Sequence, residues 1–304
     1  MNPFIHRLRR GSPLMLALLG SAVLTPAQAA DSIQLSTGAD YSSGDFGGTG
    51  NTEVLVVPIA ARLRLGDWSL RGTLPYLQIS GPADVTVIAD DSGGADGSSS
   101  GSSSSGTGRS ATAKAGSDDS GGDSGGGSDD RGGSNSFSDG RQVSGLGDAT
   151  LSLTRSFNEI ADTAFYADVT GRVKFATGKA STGLGVGATD YSLGSELGYV
   201  ASGGGVYVSA GRRFLGSTAN LQRVDGWQGY AGGWVNVGTA IELGAVYSWR
   251  EASAPLGVDS RDVELSLGMT LGRDWQASVF ASHGLSDGSP EYAGGVNLAW
   301  QYRL

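Results

Sequence analysis

The sequence predicts an all-β chain: an up-and-down antiparallel transmembrane β-barrel of 12 strands with a long disordered extracellular loop. Three observations predict it. Apolar and polar residues alternate with a period of two in twelve separate runs. The connections between those runs are short and long by turns. The chain also stops on such a run, GVNLAWQYRL at 295–304, where Val296, Leu298, Trp300, Tyr302 and Leu304 share one face. A period of two makes one face of a strand apolar and the other wet. Twelve is even, as single-chain bacterial outer-membrane barrels require.

The amino end is a separate segment. MNPFIHRLRR carries three arginines, LMLALLGSAVL is a short apolar run, and Ala27-Gln28-Ala29 makes a small-residue cleavage site. This is the pattern of a secretory signal peptide over 1–29, with the barrel expected over 30–304. No later stretch reaches the ~18 apolar residues that a spanning helix needs. Cysteine is absent, which excludes a disulfide framework and any thiolate metal site. The 52 glycines count against helices. The whole chain nets −9; Arg7, Arg9 and Arg10 leave with the signal, so the remainder nets −12. That balance argues against nucleic acid as a partner, because phosphates need a basic surface.

The alternating runs span about 32–43, 52–65, 68–81, 144–156, 164–175, 188–200, 205–215, 227–237, 241–251, 260–272, 275–285 and 292–304. In the second, Leu55, Val57, Ile59, Ala61, Leu63 and Leu65 share a face, with Arg62 and Arg64 opposite. The even-numbered connections are short and the odd-numbered ones long, as in a barrel with turns on one rim and loops on the other. One long connection holds an insert at 91–140, almost wholly Gly, Ser and Asp. With Phe137 as its one large apolar residue it cannot offset its ordering entropy, so it is expected to be disordered. Between Asp90 and Asp139 nine aspartates meet Arg109, Lys114 and Arg131, a net of −6.

Gly66-Asp67 joins two runs as a two-residue hairpin, with glycine where a type II′ turn needs positive φ. The pairing that follows sets Leu65 opposite Trp68, Leu63 opposite Leu70, Ile59 opposite Leu74 and Val57 opposite Tyr76. It also sets Arg62 opposite Arg71. Trp68, Trp275, Trp300 and Tyr302 fall near strand ends, where aromatic girdles sit. The last run is expected to pair with the first, because an open sheet edge in lipid leaves backbone groups unsatisfied. Its apolar row then faces the bilayer, and its form suits the carboxyl-terminal signal read by outer-membrane assembly machinery. The expected location is the bacterial cell outer membrane.

Charges on membrane strands must face inward, since a charged residue at lipid depth costs about 2–4 kcal/mol. The expected pore-lining residues are Arg62, Arg64, Arg71, Asp168, Arg172, Lys174, Asp190, Glu196, Glu242, Glu264 and Arg303. Ion-pair filling of a narrow lumen is the competing role for the same residues. Arginines on the second and third strands, set across the ring from Glu242, Asp262 and Glu264, suggest a basic wall facing an acidic one.

Other chemistry fails on detail. GLGVGA at 183–188 does not meet the spacing of a dinucleotide fingerprint, and in ATGKAS the lysine is followed by alanine rather than Ser or Thr. His283 lies in the outward phase of WQASVFASHGL while its neighbour Ser282 points to the other face, so no nucleophile and base converge. The aspartates of the insert follow no fixed calcium-binding period. No catalytic residue, metal site or cofactor is expected, and the chain is not read as an enzyme.

Two segments carry a resemblance. GLGDATLSL at 145–153 and KFATGKASTGLGVGATDYSLGSELGY at 174–199 resemble the outer-membrane family labelled the MetA-pathway of phenol degradation. Its members show Gly-Leu-Gly-Asp opening a strand, then a Lys-x-Pro-Thr-Gly loop, Gly-x-Gly and Thr-Asp-Tyr-Ser-Leu. Gly145 to Asp148, Lys174, Thr177-Gly178, Gly183, Gly185 and Thr189 to Leu193 match, while Ala176 replaces the proline. The resemblance implies a channel or transporter for small, aromatic or hydrophobic molecules. The alternative is a non-transporting surface or structural barrel whose acidic loop is the functional part.

Overall fold

The computed structural model describes residues 31–46, 50–81, 141–219 and 221–304, and the backbone of four short strands elsewhere. Twelve staves form the barrel: β1 (Ser32–Gly44), β2 (Thr52–Leu65), β3 (Trp68–Gly81), β4 in two pieces (Arg141–Leu146 and Thr150–Phe157), β5 (Phe165–Lys174), β6 (Asp190–Ala201), β7 (Gly204–Phe214), β8 (Gly226–Val237), β9 (Ile241–Arg250), β10 (Ser260–Leu271), β11 (Trp275–Gly284) and β12 (Tyr292–Arg303). Each pairs antiparallel with its neighbours in sequence, and β12 pairs with β1 from Tyr292↔Ser43 to Arg303↔Ser32. The sheet is therefore closed. Closure pairs the backbone of every stave on both sides, the condition for a β-sheet in lipid.

The hairpin register follows the expectation: Leu65↔Trp68, Leu63↔Leu70, Arg62↔Arg71, Ile59↔Leu74 and Val57↔Tyr76. Gly66 has φ of 55°, as its turn demands. Turns at 66–67, 202–203, 238–240 and 272–274, with the 158–164 connection, make one rim; the longer loops make the other.

β4 departs from the expected single run at 144–156. Tyr76 pairs with Leu146 and Thr73 with Thr150, so residues 147–149 lie opposite only Leu74 and Pro75. That is a bulge of one extra residue, and Pro75 has no N–H to continue the ladder there. The bulge flips the phase of the strand. Below it the even-numbered Thr150, Ser152, Thr154 and Ser156 are buried inside, while above it Leu146 is exposed on the outer face.

The outer face is apolar. Ile59, Leu193, Leu265 and Val296 stand out mid-strand, each more than half exposed. Trp68, Trp275 and Tyr302 are exposed at the short-turn rim; Tyr41, Tyr191, Trp227 and Tyr292 at the long-loop rim. These are two aromatic girdles. The outward cations Arg155 and Arg212 sit at those rims over aromatic rings, 5.1 Å from Trp68 and 5.4 Å from Trp227.

The segment between β3 and β4, which contains the 91–140 insert, is a loop. Gly108–Ala113 pairs with Val85–Asp90 as an antiparallel ribbon in the β3–β4 loop. The β-branched run VTVIAD supplies a strand that needs a partner edge. The rest of the insert lies outside the described residues. So does the expected signal peptide at 1–29, except for a short pairing of Leu14–Met15 with Val23–Leu24.

Candidate functional site: the barrel lumen

The barrel interior is where the polar chemistry collects. Arg62 and Arg64 on β2, Asp168 and Lys174 on β5, Asp190 and Glu196 on β6, Glu242 on β9 and Glu264 on β10 are all buried on the inner face. Arg71 and Arg172 are half-buried on the same face. Arg303 lies exposed at the short-turn rim, one residue from the end of the chain. Strand alternation alone places the inward set, because residues two apart share a face.

At the long-loop end these charges form a tight cluster. Asp190 Oδ2 lies 2.6 Å from Lys174 Nζ, and Asp190 Oδ1 lies 2.6 Å from Arg223 Nη1. Gly216 N–H donates to the same Oδ1 at 3.0 Å. Lys174 and Asp190 are direct cross-strand partners, whereas Arg223 comes from the 215–225 loop. A small cavity beside the cluster is lined by Arg172, Lys174, Asp190, Ser192 and Arg213. Arg213 donates to the carbonyl of Glu251.

Nearer the other rim, Glu196 is held by two phenols. Tyr166 and Tyr230 donate to its two oxygens, each at 2.7 Å. Tyr207 and Trp234 pack beside them, with Tyr207 at 5.8 Å from Tyr230 and 6.0 Å from Trp234 between ring centroids. With Val200 and Val246 they make an aromatic cluster along β5–β9.

A second apolar cluster lies inside the long-loop half: Val54, Val56, Leu77, Ile79 and Leu184, with Val143 against it. Leu184 belongs to the 175–189 loop, which turns into the barrel. Asp148, at the β4 bulge, fastens it: Oδ1 accepts Gly178 N–H at 2.9 Å and Oδ2 accepts Val186 N–H at 3.2 Å. Thr177 Oγ1 donates to Gly147 O and accepts Ala149 N–H.

Sequence reasoning missed Arg213, Arg223, Asp148 and the inward apolar patch. Arg213 had a readable signal, since it shares the phase of Gly211 and Tyr207 on β7. The run VLVVPIA is apolar at every position, the mark of a strand covered on both faces. Arg223 and Asp148 had no such signal, because loops and bulges have no period.

His283 stands on the outer face at the long-loop rim, its ring 5.4 Å from Tyr292 and its Nδ1 2.9 Å from Glu291 O.

No family model and no curated protein sequence matches the chain. Among solved structures it is similar to a COG4313 outer-membrane channel from Pseudomonas putida F1, at 11% identity and a TM-score of 0.57, over 93% of this chain and 100% of that one. At that identity the likeness is one of fold. The chain has an outer-membrane β-barrel fold. Weaker likenesses carry no argument beyond this: a KdgM porin at 6% identity and TM-score 0.47, covering 89% and 99%, and a CymD monoaromatic hydrocarbon channel at 9% and 0.42, covering 91% and 90%.

Proposed function

We propose that this barrel is a channel or transporter that passes small molecules across the outer membrane, with aromatic or hydrophobic solutes as the class. The observation that supports it is a closed ring whose interior carries ordered charge and aromatic faces rather than a uniform apolar filling. Tyr166, Tyr207, Tyr230 and Trp234 offer rings inside the barrel, and stacking on such faces is worth about 0.5–1.5 kcal/mol beyond area burial. The resemblance of 145–153 and 174–199 to the MetA-pathway family points the same way. In this reading the short-turn rim faces the periplasm, and the β12 strand is the segment offered to the assembly machinery.

The test is single-channel recording of the refolded protein in a planar bilayer. Discrete conductance steps that an added aromatic solute reduces are the expected result. A folded, heat-modifiable barrel that gives no steps overturns the reading.

One observation favours the second reading, a non-transporting surface barrel. The 175–189 loop and two buried apolar clusters occupy much of the interior. On that reading deleting 91–140 would abolish the surface function, and no variant would conduct.

A further inference from the structure

We propose that the 175–189 loop is a built-in plug: its Leu184 fills an apolar seat on the inner wall that an alkyl-chain solute takes when the loop leaves. This rests on the passage reading and deepens it, narrowing the solute class to molecules with an aliphatic chain.

The seat is set by register. Val54 pairs with Ile79 and Val56 with Leu77; across the next strand Ile79 pairs with Val143 and Leu77 with Gly145. Three adjacent staves thus gather Val54, Val56, Leu77, Ile79 and Val143 on the inner face, where membrane barrels ordinarily carry polar residues. Gly145 leaves a notch among them. A Cβ there would lie 2.9 Å from Leu184 Cδ1, so the leucine occupies the space that a side chain at 145 would take. With Leu184 in place the seat is dry: Val54, Val56 and Leu77 are fully buried. The cluster is wholly aliphatic, whereas the rings of Tyr166, Tyr207, Tyr230 and Trp234 gather on β5–β8. Its surface therefore matches an alkyl chain rather than a ring.

The loop is fastened by polar contacts, and these come from one short stretch of wall. Asp148 accepts the N–H groups of Gly178 and Val186. Thr177 Oγ1 donates to Gly147 O and accepts Ala149 N–H. All three wall residues belong to the β4 bulge, directly beside the seat. Gly183, with φ of 79°, reverses the chain just before Leu184. A loop held in this way can open without unpairing any stave.

Opening alone would leave the aliphatic cluster facing water, and that opposes it. A solute that lays an alkyl chain on the cluster removes this opposition. It binds the open state and finds no room in the closed one, and such a difference in affinity shifts the population toward opening. Leu184 and the solute compete for one seat.

The chain has no cysteine, so a single introduced thiol reports on one position. Val56→Cys puts it in the seat and Val186→Cys in the loop, at residues 0% and 3% exposed. Each variant, folded into phospholipid vesicles and checked by heat-modifiable migration, is treated with a charged methanethiosulfonate reagent. Both thiols should react slowly, and adding Asp148→Ala or Gly185→Ala should speed both by about tenfold or more. 1-Octanol should speed Val186→Cys severalfold, yet slow Val56→Cys severalfold once Asp148→Ala has opened the loop. Opposite shifts mark one seat exchanged between loop and solute; a general loosening of the barrel would speed both. Val56→Cys rates unchanged by either loop variant, or octanol effects of one sign, overturn the proposal. Conductance recorded on the same vesicle-folded proteins separates this from the passage reading. The unaltered barrel should give small or brief steps that grow in Asp148→Ala. Steps that do not grow when the thiols are freed overturn the plug and leave passage standing. Opposed octanol effects in a barrel that conducts in neither form remove passage and leave the seat.

Discussion

Asp148 holds Val186 inside the barrel: its Oδ2 accepts the Val186 N–H at 3.2 Å while its Oδ1 takes that of Gly178 at 2.9 Å. One buried carboxylate on the β4 bulge thus pins both ends of a loop segment that seats Leu184 against Val54 and Leu77. Backbone bonds to a charged acceptor contribute about 1.5–3 kcal/mol each. Asp148→Ala should therefore release the loop and leave the staves intact. Trypsin cleavage after Lys179, which is exposed in that loop, should accelerate severalfold in the variant. Equal cleavage rates would show that the apolar contacts alone hold the loop.

Gly185 gives an independent probe of the same contact. A Cβ added there would lie 2.5 Å from Asp148 Oδ1 and 2.8 Å from Gly178 Cα, so Gly185→Ala must displace both the carboxylate and the Gly178 backbone. It should reproduce or exceed the protease sensitivity of Asp148→Ala, because the backbone clash acts on the same loop contact. Wild-type cleavage rates in Gly185→Ala would contradict the clamp.

Asp190 is the counter-ion of two buried cations. Removing one partner of a buried ion group strands the remaining charge, at about 3–5 kcal/mol. Asp190→Ala should lower stability in denaturant unfolding by that order. Lys174→Met combined with Asp190→Leu should cost less than Asp190→Ala alone. A double variant as unstable as the single one would show that geometry, not charge, sets the cost.

Depth in the membrane sets the penalty for a surface charge. Leu265 is mid-strand on the outer face, whereas Val258 is exposed in the 251–259 loop. Leu265→Arg should destabilise the barrel in vesicles by about 2–4 kcal/mol, while Val258→Arg should have no more than a small effect. Similar costs at both positions would place the bilayer elsewhere.

Loop-length parity predicts that the long-loop rim faces the cell exterior. Trypsin added to intact cells should then cut within the insert, which offers Arg109, Lys114 and Arg131. Cleavage there only after cell lysis would reverse the orientation.

The sequence by itself determined the staves. Period two decides which residues share a face, and a strand in lipid tolerates little error, because a one-residue slip turns every apolar side chain inward. The hairpin at Gly66-Asp67 was equally legible: a two-residue turn fixes register locally, and Arg62 falls opposite Arg71 from the sequence alone. The short-turn girdle followed from Trp68, Trp275, Trp300 and Tyr302 at strand ends, whereas the long-loop girdle of Tyr41, Tyr191, Trp227 and Tyr292 emerged only in the fold. What the sequence could not determine is how staves distant in the chain slide past one another. Arg71, Arg172 and Arg213 occupy separate strands, and only the shear of the closed ring sets them, through Ser152 and Ser192, in one rising row. The bulge at 147–149 had no periodic mark, yet it inverts the faces of β4 above it and delivers Asp148 to the loop. Arg223 reaches Asp190 from a loop, across 33 residues. Alternation is a local property of the backbone and survives in the sequence; register between strands, and the entry of a loop into the lumen, are set by closure and packing.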